Sequence, residues 1–394
     1  MIVSYRFRLL PAKAQHRALE KILESQRQLY NAALEERIGA HRKADVSLTY
    51  RDQTKGLTEW RRSDAEASAL PVCLQRATLK RLHEAYRGFF RRVRKGRKPG
   101  LPRYRGKGWF QSFGFSEFCG ITLKNGRLRF KGMPGGLRVH WHRHLPAGAS
   151  PRTCAFKRDT KGWTVSFAVA IAVAEPRTGD RTVGLDLGIS TFAALSDGGF
   201  IPSLKAARKA ERWVRQAQRR LERRKRGSSG RERARMAVAR CHAAVTRERN
   251  EHLHQASARL VRDYDAIAIE KLNVRGLAQG TLAKDVRDAS WARFISMLTY
   301  KAAKAGTRLI EVDPHNTSQD CSGCGVKVSK DLGDRTHACP HCGLSIDRDL
   351  NAARNILNRA GVGPGLRNVA GYGMRAGGNL DSAPPPHQEA MAPN

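Results

Sequence analysis

The sequence predicts a multidomain α/β protein: a small β-barrel interrupted early by helices, then a mixed sheet carrying a four-cysteine metal module. Three observations lead there. Short alternating segments punctuated by Gly and Pro fill 113–173, and strand-length apolar runs alternate with long helical stretches from 182 onward. Finally, Cys321-x-x-Cys324 and Cys339-x-x-Cys342 bracket fourteen residues. Pairs so spaced can set four thiolates around one Zn²⁺, although the gap is just short of the usual window. With 394 residues the chain has room for two or three cores.

The elements follow in order. Ser4 to Leu10 alternates as a strand with one basic face. Pro11 opens a helix to about residue 43, with Leu19, Ile22, Leu23, Leu29, Tyr30, Ala33 and Leu34 at helical spacing. Helical patterns return at about 52–62 and 72–93, so 11–95 reads as a helical insert after the first strand. Residues 96–120 interleave cations with aromatics. Arg103, Tyr104, Arg105, Lys107, Gln111 and Phe113 are candidates for contacting a nucleic-acid backbone and stacking on bases; the same composition fits a loop leading into the barrel. The barrel itself takes 1–10 and 96–176.

Thr182 to Gly198 reads as a β-hairpin whose first strand holds Asp186. Two long helices follow, 203–226 and 231–262, joined at Gly227–Gly230. They hold nineteen Lys and Arg against five Asp and Glu; a solvated face would mix the signs, so this hairpin suits a phosphate backbone. An exposed hairpin without a ligand is the alternative. The strand Ala266–Glu270, a helix over 290–305, the strand Arg308–Val312 and a helix from Asp349 to about Leu357 complete the ordered body. Beyond Gly361 the Gly, Pro, Ala and Asn composition predicts a disordered tail over 361–394.

The formal charge of +38, from 73 Lys and Arg against 35 Asp and Glu, exceeds what solubility needs. It implies a salt-sensitive attraction to polyanions, nucleic acid first among them. The longest apolar run, Phe167 to Ala174, is too short to span a bilayer, and no membrane partner is expected. Arg6 and Arg8 interrupt the N-terminal apolar run, so it does not read as a signal peptide. Cys73, Cys119, Cys154 and Cys241 are too sparse for a disulfide framework and fit a reducing cytoplasm.

Three acidic residues sit in apolar settings where an unpaired charge is costly. Asp186 lies mid-strand between Leu185 and Leu187, Glu270 ends the strand Ala-Ile-Ala-Ile, and Asp349 opens a helix packed through Ala352, Ala353, Ile356 and Leu357. Singly, each has a plain reading as a turn, surface or capping residue. Together, strand Asp, strand-end Glu and helix-start Asp are what an RNase H-like metal site requires, with two Mg²⁺ about 3.5–4 Å apart. An actin-type ATP site also starts from Gly-x-Asp-x-Gly, but it leaves the zinc pattern and the charge without a role. No Walker-type phosphate loop occurs. Arg348 reads as solvent-facing, and His337 and His341 as bystanders to four cysteines that already close the zinc site.

These residues resemble the transposon-encoded RNA-guided nucleases called TnpB (OrfB-type transposases), relatives of the type V CRISPR effectors. The resemblance runs through Tyr5-Arg-Phe-Arg-Leu9, Leu29-Tyr30-Asn31, Leu101-Pro-Arg-Tyr, Gly184-Leu-Asp-Leu-Gly188 and Ile269-Glu270-Lys-Leu272. It is most specific in Tyr300–Gly306, Thr317-Ser-Gln-Asp-Cys321-Ser-Gly-Cys324 and Asp347-Arg-Asp349-Leu-Asn351-Ala-Ala-Arg-Asn355-Ile. It implies a RuvC-type RNase H-like nuclease domain over 180–315 and 346–360, with the basic hairpin 203–262 inside it and a zinc-ribbon insert at 316–345. A wedge-like barrel with a helical recognition insert would precede it. The resemblance also implies a guide RNA from the transposon end, a double-stranded DNA target beside a short recognition motif, catalysis by Asp186, Glu270 and Asp349 with two Mg²⁺, and one structural Zn²⁺ on Cys321, Cys324, Cys339 and Cys342. A nuclease-inactive guided regulator and an RNase H-like transposase are the alternatives.

Overall fold

A computed structural model of the protein describes residues 1–362 other than 147, 278, 281, 282 and 332. The expected disordered tail therefore lies, from residue 363, outside the described residues. The chain divides into two compact units. One comprises Met1–Pro176, Leu204–Arg259 and Ser290–Gly306; the other comprises Arg177–Ser203, Leu260–Ala289 and the chain from Thr307.

In the first unit β1 (Ile2–Leu10) leads into the helices α1 (Lys13–Ala44), α2 (Tyr50–Ser63), α3 (Ala65–Ser68) and α4 (Val72–Arg94). Of the apolar positions read from the sequence α1 buries Leu19, Ile22, Leu23, Tyr30, Ala33 and Leu34, while Leu29 is half-buried. Strands β2 (Ser112–Phe115), β3 (Ile121–Lys124), β4 (Arg127–Phe130), β5 (Leu137–His140), β6 (Pro151–Asp159) and β7 (Gly162–Ala170) join β1 in one sheet. Its order is β2-β6-β7-β1-β5-β4-β3, with antiparallel neighbours throughout.

Aromatic contacts give the sheet its shape. Phe156 on β6 and Phe130 on β4 are four strands apart in sheet order, yet their ring centroids are 5.6 Å apart. A flat sheet would separate them by about 19 Å. The sheet is therefore curled around a core of Phe7, Phe113, Phe115, Phe130, Phe156, Trp163 and Phe167. The barrel expectation is met as a curled sheet: among the described residues no ladder joins β2 to β3.

One reading of the cysteines changes. Cys73, at the start of α4, and Cys119, between β2 and β3, form a disulfide across a separation of 46 residues. Cys154 and Cys241 are free. Sparse spacing argued for thiols throughout, but the fold brings the turn at Gly120 against Pro71 and so brings these two sulfurs together. Among the described residues no helix is long and apolar enough to cross a membrane.

The second unit is built on a five-stranded sheet. Strands β8 (Thr182–Asp186), β9 (Thr191–Leu195) and β10 (Phe200–Pro202) form an antiparallel meander. The chain then runs through α5 (Ala206–Glu222) and α6 (Ser229–Asp263), of which 204–259 are counted with the first unit, and enters β11 (Ala266–Glu270). The short helices α7 (Val274–Leu277) and α8 (Ala283–Ala289) follow. Then come α9 (Trp291–Ala305) of the first unit and β12 (Arg308–Val312). Both β8 and β12 pair with β11 in parallel, giving the order β10-β9-β8-β11-β12. Ala266 to Ile269 are fully buried, as a parallel strand covered on both faces requires. A two-stranded ribbon, β13 (Thr336–Ala338) with β14 (Ser345–Asp347), precedes α10 (Arg348–Arg359).

Helix α10 lies against β8, β9 and β11. Its closest approach is at Gly184, where an added Cβ would stand 2.1 Å from the Ala353 carbonyl oxygen and 2.8 Å from the Leu357 nitrogen. No side chain fits between that strand and that helix.

Gly184→Ala is expected to destabilise the second unit by about 1–3 kcal/mol, because backbone rather than a yielding side chain occupies the space. Gly39→Ala, in the interior of α1 with nothing within 4 Å, should instead stabilise by about 0.5–1 kcal/mol. Urea unfolding of both variants checks the opposite signs.

Candidate functional site

Two groups of side chains meet at the C-terminal edge of the second unit's sheet and in the segment after it. The first is acidic. In the parallel pairing Leu185 stands opposite Ile269, so Asp186 and Glu270, one residue further on, end adjacent strands side by side. Asp349 lies in the first turn of α10, whose preceding residue Asp347 caps the helix by accepting from the Asp349 and Leu350 N–H groups at 2.8 and 3.1 Å. The capping role considered for Asp349 thus falls to Asp347, leaving the Asp349 carboxylate available. The contact at Gly184 brings this helix over β8.

Electrostatics record the convergence. Burial pushes the Asp186 acid up from the usual 3.8 to about 7, with the charges of Glu270 and Asp349 adding to the rise and Arg348 opposing it. Burial also raises Glu270, against the hydrogen bond donated by the Thr317 hydroxyl and the charge of Arg359. Like charges gathered in a partly buried place call for a cation, and hard carboxylate oxygens suit Mg²⁺. Among the described residues the three carboxylates do not form a cluster as tight as that of the cysteines below. Arg348 is not solvent-facing, in contrast to its sequence reading. Its side chain is 21% exposed, with Nε 3.5 Å from Asp349 Oδ1, the neighbouring carboxylate at the helix start.

The second group is Cys321, Cys324, Cys339 and Cys342, whose sulfurs all lie within 4.8 Å of one another. Cys321 to Cys342 and Cys324 to Cys339 are each 3.6 Å apart. Zn–S bonds of about 2.3 Å imply tetrahedral edges of about 3.8 Å, so the cluster fits Zn²⁺. Without metal the clustered thiols share protons unequally: backbone N–H groups of Cys342 and His341 help lower Cys339 to about 6, while Cys324 and Cys342 are raised by burial and by neighbouring thiols. His337, fully buried on β13, and His341, exposed, are not in the cluster. Four thiolates leave no open coordination position, which makes the metal structural.

The 96–113 candidates divide. Arg103 and Lys107 are exposed and Tyr104 is half-exposed, its hydroxyl donating to Glu35. Arg105 is clasped at its backbone: its N–H donates to Asn31 Oδ1 at 2.8 Å, and its carbonyl accepts from Arg27 at 2.9 Å. Gln111 Oε1 accepts from Arg158 at 3.0 Å, and Phe113 is buried and stacked on Phe156 at 5.0 Å. Neither is available to stack on or read a base; both build the curled sheet. The strand alternation Ser112-Phe113-Gly114-Phe115 already carried that information. Trp109, 76% exposed, is the aromatic left free in this segment and was not singled out. Thr317, Asn351 and Asn355 stand in the motifs that carry the resemblance but had no role assigned, and Arg359 was not noted, since they act through contacts that no local pattern encodes.

Comparisons with known proteins find similarity along most of the chain. Family models described as "Probable transposase", "Cas12f1-like, TNB domain" and "Helix-turn-helix domain" match residues 166–281, 291–356 and 1–44. Over the last span the chain forms β1 and the single helix α1. A Streptomyces pristinaespiralis protein named "Putative RNA-guided DNA endonuclease" is 35% identical over 362 residues, covering 90% of this chain and 88% of that protein. Escherichia coli K12 "Putative RNA-guided DNA endonuclease InsQ" is 24% identical over 377 residues, covering 90% and 91%. The solved structure of CasPhi-2 (Cas12j) bound to crRNA overlays with a TM-score of 0.46 at 10% identity, covering 93% of this chain and 99% of that one.

Two outcomes are expected. Metal analysis of purified protein should find one zinc per chain, lost together with the fold of the cysteine module on strong chelation. In metal-free protein, Asp186→Asn should raise the unfolding free energy at pH 8 by about 2–4 kcal/mol. The raised acid contributes stability only while protonated, and that contribution is lost as pH climbs from 3.8 through about 7. The variant's advantage should therefore vanish near pH 4, as chemical unfolding at the two pH values will report.

Proposed function

The chain belongs to the TnpB (OrfB) family, and we propose that it is an RNA-guided DNA endonuclease encoded by a transposon, using Asp186, Glu270 and Asp349 as its metal-binding catalytic set. The observation that carries this is placement: Asp186 and Glu270 end adjacent parallel strands, and the contact at Gly184 brings α10, with Asp349 in its first turn, against β8. A relative 35% identical along nearly the whole of both chains bears the matching activity in its name.

Several features support the finer reading. The order β10-β9-β8-β11-β12, an antiparallel meander followed by two parallel strands, is the arrangement expected of an RNase H-like, RuvC-type domain. In this reading that domain takes 180–315 and 346–360, with 203–262 as its basic hairpin and 316–345 as a zinc ribbon between β12 and α10. The curled sheet would be the wedge, and α1–α4 the recognition insert. A charge of +38 favours guide RNA and double-stranded DNA as partners, held through their backbones while base pairing supplies the sequence. Arg97, Lys98, Arg103, Tyr104, Lys107 and Trp109 are among the exposed side chains of the 96–113 segment available for such contacts.

In the chemical step Asp186, Glu270 and Asp349 would hold divalent ions over the sheet edge. Bound Mg²⁺ there would help activate water and neutralise the charge that develops on the phosphodiester. Strand ends fix two of the carboxylates and a capped helix start the third, so their placement costs little reorganisation during reaction.

The test pairs RNA identity with cleavage. Protein expressed with its flanking DNA should retain one abundant RNA ending at the element boundary, and with it cut matching DNA in Mg²⁺. Asp186→Ala should lower cleavage by at least about 1,000-fold, the loss of about 4 kcal/mol of transition-state stabilisation, while RNA and DNA binding persist. Undiminished cutting by the variant contradicts the catalytic assignment. Joined rather than broken DNA would favour a transposase, and guided binding without EDTA-sensitive breaks a regulator.

A further inference from the structure

The loop from β12 to the first metal cysteine, residues 313–320, lacks regular secondary structure yet is held at many points by α10. Arg359 donates to the Asp313 carbonyl at 3.1 Å and to the His315 carbonyl, and pairs with the Asp320 carboxylate at 2.6 Å. Asn355 Nδ2 donates to the Thr317 and Asp320 carbonyls at 2.9 and 2.6 Å. Asn351 Nδ2 donates to the Asp320 carbonyl at 2.8 Å, while its Oδ1 accepts from the Ser322 N–H at 2.9 Å, inside the first cysteine pair. Asn351 and Asn355 are 0% and 6% exposed. Buried amides whose groups are satisfied in this way rigidify what they bind.

What the loop presents is the Thr317 hydroxyl, 2% exposed. It has one proton and two acceptors in reach, the Pro314 carbonyl at 3.1 Å and the Glu270 carboxylate. The charged acceptor makes the stronger bond and takes the proton. Resting on the reading of Asp186, Glu270 and Asp349 as a divalent-metal site, we propose that Thr317 is a positioning residue that fixes the Glu270 carboxylate for metal binding. The α10 amides that hold Thr317 also hold the cysteine module, and the same helix carries Asp349. Two of the three carboxylates are thus located by one hydrogen-bonded unit, with the zinc module as its far end.

Thr317→Val keeps the side-chain shape and removes the hydroxyl; Thr317→Ser restores it. In the full chain with its RNA and target DNA, Mn²⁺ binding is followed by electron paramagnetic resonance alongside the Mg²⁺ dependence of cleavage. Loss of a ligand's hydrogen-bond partner commonly weakens metal binding 10–100-fold. The Val variant should weaken Mn²⁺ binding and raise the Mg²⁺ needed for half-maximal cleavage by about 10-fold or more. Cleavage should recover at high Mg²⁺, zinc content and DNA binding should hold, and Ser should restore wild-type values. Equal Mn²⁺ affinity in wild type and Val overturns the proposal, as does a defect that Ser fails to rescue. If Val disturbs zinc content, Thr317→Ala compared with Ser makes the same comparison. Asp186→Ala run in parallel separates the two ideas. Its retaining Mn²⁺ binding and cleavage sinks the acidic-site reading, whereas its losing both while Val behaves as wild type sinks only the role of Thr317.

Discussion

Everything at the candidate site depends on one close approach, the passage of α10 across β8 at Gly184. A Cβ there would stand 2.1 Å from the Ala353 carbonyl oxygen, so a residue without a side chain is what lets the helix backbone touch the strand. That contact brings the start of α10, with Asp349, over the end of β8, with Asp186. Parallel pairing with β11 sets Glu270 beside Asp186. Ala352 and Ala353, both fully buried, keep the rest of the helix equally close. The acidic site is therefore a consequence of packing: small residues on two elements bring together carboxylates that would otherwise repel one another.

The same helix explains why a metal module sits next to an acidic site. The segment between β12 and α10 is short of apolar material, and in the described residues its order comes from four clustered cysteines and from Asn351, Asn355 and Arg359. A structural zinc held by those cysteines would substitute for the core that so short an insert cannot build. Rigidity at the insert then passes into the loop that carries Thr317.

Much of this was legible in the sequence. The strands Ala266–Glu270 and Arg308–Val312 were read to the residue, since short segments rich in Ile, Leu and Val between helical stretches leave little choice. The long helices were placed to within a few residues of their ends, where caps and fraying decide. The short helices Val274–Leu277 and Ala283–Ala289 were not seen, because four- and seven-residue turns carry too little periodicity. At the site, residue type and element position marked all three carboxylates and four cysteines. Thr317 and the α10 amides were silent, because their partners lie 29 to 47 residues away and only the fold introduces them. Gln111 and Phe113 were misplaced for a different reason: composition was followed where strand alternation should have been.

The most direct test of the central claim is an anomalous-scattering map of the RNA- and DNA-bound protein in Mn²⁺. The account predicts a peak ligated by oxygens of Asp186, Glu270 and Asp349 at roughly 2.0–2.3 Å, with a zinc signal at the four cysteines as internal reference. A zinc signal without any peak among the three carboxylates, or manganese bound elsewhere at the cut site, would contradict it.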